Sequence, residues 1–205
     1  NVTNKFSLNY ATNPNIFQHG EEIQTNSFFG QANFSFKDAL FLDASLREDW
    51  ASSLPSPYKY PYYGVGASAV LSDLVHLPDA ISFLKASFNY SQTGNGGQFG
   101  LLTTTYSYSQ GAGNGFLQRG TTYPFPTLKP ELTRGLEGTI DMKFLDDRFG
   151  FAATYYKSNS INQLLGLSIP TATGYNLQYI NAGNIQNQGF EFLVSATPIS
   201  KQDFN

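Results

Sequence analysis

The groups in this sequence that could do chemistry are few and scattered. His19 and His76 each stand alone, with no second ligand at metal-binding spacing, so surface or turn positions account for them. Gly94-Asn95-Gly96-Gly97 has the glycine content of a phosphate-binding loop. It lacks the strand-to-helix context and the following Lys-Ser/Thr pair such a loop needs, and is expected to be a flexible connection. Asp146 and Asp147 offer adjacent carboxylates, but neighbours within a short hairpin are better explained by turn chemistry than by calcium ligation. The absence of cysteine removes disulfide frameworks, thiolate metal sites and cysteine nucleophiles together. With two isolated histidines no Ser/His/Asp constellation is interpretable. The sequence therefore predicts no enzyme, no cofactor and no metal site.

What remains are charges and rings. Asp43, Arg47, Lys85, Glu137, Asp141, Lys143 and Glu191 fall in the middles of alternating segments, always on the polar side. Trp50, Tyr58, Tyr60, Tyr62 and Tyr63 gather around one long connection. Glu137, Asp141 and Lys143 share one strand face, where they could steer a solute or simply form a solvated, ion-paired surface. The tyrosines could stack on sugar rings, although an interfacial aromatic belt is the better-supported role.

The elements that position these residues have a period of two. Phe28, Ala32, Phe34 and Phe36 alternate with Phe29, Gln31, Asn33 and Ser35. Leu136, Gly138, Ile140, Met142 and Phe144 alternate with Glu137, Thr139, Asp141 and Lys143. The segments beginning at Leu40, Tyr63, Leu84, Phe149 and Phe190 behave alike. In a strand successive side chains flip faces, so each segment has an apolar and a mostly polar side. Several segments reach about ten residues, the length of a tilted membrane-spanning strand rather than of the usual soluble one. A Lys or Arg on the lipid side of such a strand costs roughly 2–4 kcal/mol at the midplane, which explains why that side is kept free of charge.

Composition agrees. Charged residues are only 13% of the chain and aromatics 16%. With a net charge of −3 there is no basic surplus to neutralise phosphates, so no nucleic-acid partner is expected. No apolar run is long enough for a transmembrane helix. The first ten residues are polar and strand-like, and do not read as a signal peptide.

Connections alternate in length. Short turns are expected at residues 37–38, 72–80, 145–148 and 199–203, and long links at 51–61, 92–132 and 158–187. All short turns fall at one end of the sheet, as at the periplasmic end of an outer-membrane barrel, which places the long links outside. Phe144 and Phe149 flank one short turn as belt residues. Residues 92–120 read as a mobile loop, with a hairpin around 101–108.

SFFGQANFS, LFLDASLREDWASSL, LKASFNYSQTGN and INAGNIQNQGFEFLVSATPI, in that order, form a set that resembles one family, the SusC/RagA-type TonB-linked outer-membrane transporters. SFFGQANFS, from Ser27, is similar to that family's SFFGRANYSY strand. LFLDASLREDWASSL, LKASFNYSQTGN and the stretch PTLKPELTRGLEGTIDMKFLDDRFGFAATYYKSNSINQLL follow in the family's order. INAGNIQNQGFEFLVSATPI resembles its most specific piece, VNAGSIENKGVEVSLNYTPI, and its Asn and Gly residues read as strand-entry and turn elements. Trp50-Ala51 departs from the family's glycine after Asp49, and the loop after Thr93 is this chain's own.

The resemblance implies an all-β fold, an antiparallel transmembrane β-barrel of which residues 1–205 are a fragment of one large plugged barrel domain, contributing about eight or nine strands. A signal peptide, plug and TonB-contacting segment would lie outside this chain, and the seven mid-strand charges would face the lumen or the plug. It also implies energised uptake of a glycan or peptide, outer-membrane lipid around the wall, a SusD-like lipoprotein lid as partner, and the outer membrane of a Gram-negative, Bacteroidota-like bacterium as location. The rival readings are a transporter-like barrel with an assembly role, a complete small porin-like barrel, and a soluble sugar-binding β-sandwich. The final Asp203-Phe204-Asn205, where another strand begins, argues against a complete small barrel. Intact-mass spectrometry of the native polypeptide from a detergent-solubilised outer-membrane fraction is expected to give a species several times heavier than 22.6 kDa. A product of that size itself would leave the small barrel or the soluble domain.

Overall fold

The computed structural model describes residues 20–109 and 115–197. The strand-like first ten residues, His19 and the turn expected at 199–203 lie outside the described residues. Ten strands occur among the described residues: β1 (Thr25–Phe36), β2 (Leu40–Ala51), β3 (Lys59–Val70), β4 (Ile81–Asn95), β5 (Tyr106–Ser109), β6 (Phe116–Arg119), β7 (Thr122–Tyr123), β8 (Glu131–Phe144), β9 (Phe149–Ser168) and β10 (Leu177–Ala196). Seven long antiparallel strands form one sheet in the order β1-β2-β3-β4-β8-β9-β10, and short β7 pairs parallel with β10 beyond it. β5 and β6 form a separate hairpin. The sheet is an open stretch of wall, with β1 at one end of the order and β7 at the other.

The short turns close as expected. Lys37 and Asp38 both take left-handed backbone, φ 54° and 52°, and Ala39 N–H donates to the Phe36 carbonyl at 3.2 Å. Two central residues of positive φ make the type I′ geometry, whose twist matches that of the flanking strands. Leu145, Asp146 and Asp147 repeat the left-handed conformation in the turn between β8 and β9. Asp146 and Asp147 are thus turn residues.

Register brings the alternation of every strand into phase. One hydrogen-bonded row runs through Ala32, Ala44, Val65, Tyr90, Leu136, Lys157 and Gln188, across all seven strands. Cross-strand partners share a face. The apolar face therefore collects Phe28, Phe34, Leu42, Val65, Phe88, Ile140, Phe151 and Phe192, many of them widely exposed to the surroundings. Phe144 and Phe149 pair directly across their short turn on this face.

The apolar face ends at a sharp outer edge. Leu46, Tyr63, Tyr90, Leu136, Tyr155 and Phe190 come last, and two residues further along their strands stand Glu48, Pro61, Gln92, Arg134, Lys157 and Gln188. This edge is oblique to the hydrogen-bonded rows: it lies on the Lys157–Gln188 row at β9 and β10, but reaches Asn26 on β1, about six residues further out over six strand steps. At ~3.4 Å per residue and ~4.8 Å per strand, that offset is a strand tilt of about 35°, within the range that barrels require. About nine residues of β8, tilted so, span roughly 22 Å, close to the ~25 Å apolar band of an outer-membrane barrel. Tyr63, Tyr90 and Tyr155 form the ring-bearing rim of that band, with Tyr63 and Tyr90 rings 5.9 Å apart.

One expected link is much shorter than its sequence suggests. Residues 158–187 were expected as a long connection, but β9 continues to Ser168 and β10 begins at Leu177. Beyond the lipid band amide side chains carry the ladder outward: Asn159 Nδ2 donates to Asn184 Oδ1 at 3.0 Å and approaches Gln186 Oε1 at 3.5 Å. Asn181 to Glu191 therefore lie within β10 rather than forming a strand entry and turn. Of this stretch, Gly183 (φ 84°) does carry special backbone, opposite Asn162 (φ 57°), where the two strands crease without losing register.

Because Ile140 sits near mid-band on the apolar face, Ile140→Lys is expected to destabilise the lipid-inserted protein by about 2–4 kcal/mol. Thr139→Lys, one residue away on the opposite face, should cost much less. Denaturant unfolding of both variants in lipid vesicles checks the difference.

Candidate functional site

The described core is small and lies at the outer end of the polar face. There the long connection between β4 and β8 folds back over the wall. Leu54 (2% exposed), Tyr60, Tyr62, Leu101 and Leu128 bury one another, with Phe125, Leu164 and Tyr179 packed alongside. The connection then reaches the far edge, since β7 within it pairs with β10, three strand positions from β4. That is roughly 14 Å of lateral travel across the sheet. Its apolar side chains need cover from water, and the ring faces of Tyr60 and Tyr62 supply it.

Gly94-Asn95-Gly96-Gly97, expected as a flexible loop, is closely packed instead. Gly94 and Asn95 belong to β4. A Cβ on Gly94 would stand 2.8 Å from the Tyr60 ring, and one on Gly97 would meet the Leu128 side chain at 2.3 Å. These glycines allow close approach, which composition alone does not distinguish from flexibility. The hairpin expected around 101–108 forms later, from β5 and β6. Tyr106 and Leu117 on it are exposed.

A buried polar cluster anchors the loop's floor. Asp49, 3% exposed, accepts from the Tyr62 hydroxyl at 2.5 Å and from Arg47 Nε at 2.8 Å. Arg47 Nη2 donates to Ser27 Oγ at 3.2 Å, and its guanidinium lies 5.7 Å from the Tyr62 ring centre. A buried carboxylate without such partners would be strongly unfavourable, so these three side chains act as a unit. Asp49 was not singled out from the sequence. Its spacing from Arg47, two residues along the same strand face, is the signal that could have found it.

Two further side chains tie the returning loop to the wall. Asn181 Oδ1 accepts from Lys129 N–H at 2.7 Å, and its Nδ2 donates to the carbonyls of Lys129 and Asn162, each at 2.8 Å. Glu131 Oε1 accepts from Leu164 N–H at 2.8 Å. At the mouth, the Arg119 guanidinium stacks 4.3 Å from the Tyr175 ring centre and donates to the Gly174 carbonyl. Tyr123 packs edge-on against Tyr175 at 5.1 Å.

The sequence-derived candidates divide by parity. Asp43, Arg47, Lys85, Glu137, Asp141, Lys143 and Glu191 all stand on the polar face, in one phase of the pleat. Only some meet: Lys85 pairs across strands with Asp141, and Lys143 reaches Asp147 at 3.5 Å. Asp43 and Glu137 share a row but are separated by Gly66 and Asn89. Among the rings, Trp50 and Tyr63 are on the apolar face, and Tyr58 is in the turn before β3. Tyr60 and Tyr62 are on the polar face beneath the connection between β4 and β8, with which they pack, and do not face the apolar side. Tyr90 and Tyr155 also occupy belt positions, at the outer end of the apolar face. His76 is exposed in the connection between β3 and β4.

A sheet with one continuous apolar band, ring-bearing rims, short turns at one end and a folded loop at the other is the wall of a transmembrane β-barrel. Residues 2–205 match the family model described as TonB dependent receptor-like, beta-barrel, and the chain belongs to that family. It is 29% identical over 194 residues to TonB-dependent receptor P26 of Formosa agariphila, covering 89% of this chain and 19% of that protein. It is 25% identical over 194 residues to TonB-dependent receptor SusC of Bacteroides thetaiotaomicron, covering 87% of this chain and 19% of that one. The RagAB peptide transporter structure superposes with a TM-score of 0.75 at 21% identity, over 88% of this chain and 20% of that chain. The chain thus spans about a fifth of the length of the curated relatives it matches.

Replacing Asn181 by Ala removes three hydrogen bonds at once. Local opening at the Lys129 anchor should become easier by about 1–3 kcal/mol, so the Lys129 amide should exchange roughly ten- to a hundredfold faster. Hydrogen exchange read by mass spectrometry on the whole protein checks this, with the amides of central β8 as the unchanged reference.

Proposed function

We propose that residues 1–205 are part of the barrel wall of an energised importer that brings a glycan or a peptide across the outer membrane of a Gram-negative, Bacteroidota-like bacterium. The observation that carries this reading is the match of almost the whole chain to the TonB dependent receptor-like barrel family. The SusC relative and the RagAB peptide transporter support the choice of substrate classes and of a SusD-like lipoprotein lid. In this reading a plug and a TonB-contacting segment belong to the rest of the protein. The polar face lines the lumen, and Asp43, Lys85, Glu137, Asp141, Lys143 and Glu191 face the solute or the plug. The wall supplies a rigid frame and the external loop a floor at the mouth, while the moving part lies elsewhere. No catalytic step is assigned to any residue of this chain.

Deletion of the full-length gene is expected to abolish growth or uptake on at least one oligosaccharide or oligopeptide source, with restoration by the intact gene and not by one lacking the TonB-contacting segment. Unchanged uptake across a panel of both solute classes would overturn the importer reading. Capture of the native barrel should also bring down a lipid-anchored partner in stoichiometric amount.

A further inference from the structure

Four charged residues of the membrane strands break the rule that charge stays on the polar face at the wall's outer edge: Glu48, Lys59, Arg134 and Lys157. Glu48 is neutralised by Lys59, whose Nζ lies 3.0 Å from Glu48 Oε1. Arg134 and Lys157 have no carboxylate within ion-pair distance among the described residues. Glu48 is the only acidic residue on the apolar face of the seven long strands among the described residues, and it lies on β2, well away from β8 and β9.

The two cations are neighbours. Arg134 is directly opposite Asn159, and Lys157 is two residues along the same strand from Asn159. That diagonal relation separates side-chain roots by about 7 Å, within reach of one anionic group for two long side chains. Amides flank the pair on both sides: Gln92 is paired with Arg134 and Gln188 with Lys157. Directly inward come the apolar Leu136 and Tyr155, the last residues of the lipid band. Both strands are interior to the sheet, with β4 on one side and β10 on the other, so the surface needs no further strand to complete it.

We propose that Arg134 and Lys157, with Gln92 and Gln188 beside them, form a site for the phosphate-bearing headgroup of a glycolipid in the external leaflet. The occupant follows from position and charge. The site faces outward, where lipid stands rather than solute, at the end of the wall that carries the long loop. Unpaired cations there attract an anionic headgroup, and amides hydrogen-bond its sugar hydroxyls and phosphate oxygens. The acyl chains of the same molecule lie along Tyr155, Leu136 and the apolar face below. Arg presents a planar fork of donors and Lys a mobile point charge, a pairing suited to a phosphate held at a boundary between water and lipid. The inference rests on the wall's placement in an outer membrane and not on what the barrel transports.

The test uses the full-length protein, purified in detergent and depleted of lipid, with lipopolysaccharide from the host's outer membrane as probe. Native mass spectrometry should show retained glycolipid, with affinity falling about tenfold or more when both cations are neutralised as Arg134→Gln with Lys157→Gln. Arg134→Lys with Lys157→Arg should largely preserve binding, and Glu137→Gln on the opposite face should leave it unchanged. The wild-type protein, which needs no variant to fold, should bind the enzymatically dephosphorylated glycolipid about tenfold more weakly than the intact one. Equal affinity for the two glycolipids, equal retention by the neutralised variant, or tighter binding of a phosphatidylglycerol probe than of the phosphorylated glycolipid would overturn the proposal. None of these readouts depends on solute uptake, so failure here and failure of the importer reading are separable.

Discussion

Hydrocarbon offers no water to a backbone N–H or carbonyl, so every peptide group crossing the membrane must find its partner in a neighbouring strand. That constraint organises this protein. It forces the seven long strands into one unbroken ladder, from β1 to β10, and the ladder forces cross-strand partners onto a common face. Side-chain chemistry then has only one free variable per position, its parity. Apolar residues occupy one parity and polar residues the other, and a slip of a single residue in any register would carry Asp141 or Glu137 into lipid.

The same ladder converts a flat sequence pattern into a tilted wall. In each strand the apolar run ends after a few alternations, at Asn26, Glu48, Pro61, Gln92, Arg134, Lys157 or Gln188. Taken singly these endings have no evident relation. Register shows that they form one line oblique to the hydrogen bonds, because a membrane has a level surface and barrel strands cross it at an angle. Tyr63, Tyr90 and Tyr155 follow the same line just inside it, where a ring can be apolar at one end and wet at its hydroxyl.

Outside the band the constraint relaxes and the architecture changes character. β9 and β10 persist past the membrane on amide side-chain pairs, and the connection from β4 to β8 builds a small core of its own on Tyr60, Tyr62 and Leu54. Buried polar groups now do what burial in lipid does elsewhere, namely select one arrangement. Asp49 is held by Tyr62 and Arg47, and Asn181 holds both the N–H and the carbonyl of Lys129. Each has little room to change, since loss of a partner would leave the other group buried and unsatisfied.

Strand phase, the polarity of each face and the positions of the tight turns were legible in the sequence, because a period of two and a Lys37-Asp38 or Asp146-Asp147 punctuation are local properties. The seven mid-strand charges were assigned to their face by the same means. Residues whose role depends on a neighbour distant in the chain were not legible. Parity puts Tyr60 and Tyr62 on the face opposite Tyr63, but not the loop that buries them, and Gly94 and Gly97 are close-approach positions only because Tyr60 and Leu128 come to meet them. Asn181 looked like a turn residue until its partners, Lys129 and Asn162, were brought 52 and 19 positions back along the chain to its side. Local alternation records which solvent each face meets. Which loop covers which strand, and which polar groups meet beneath it, is decided by contacts that have no period, and only the tertiary structure contains those.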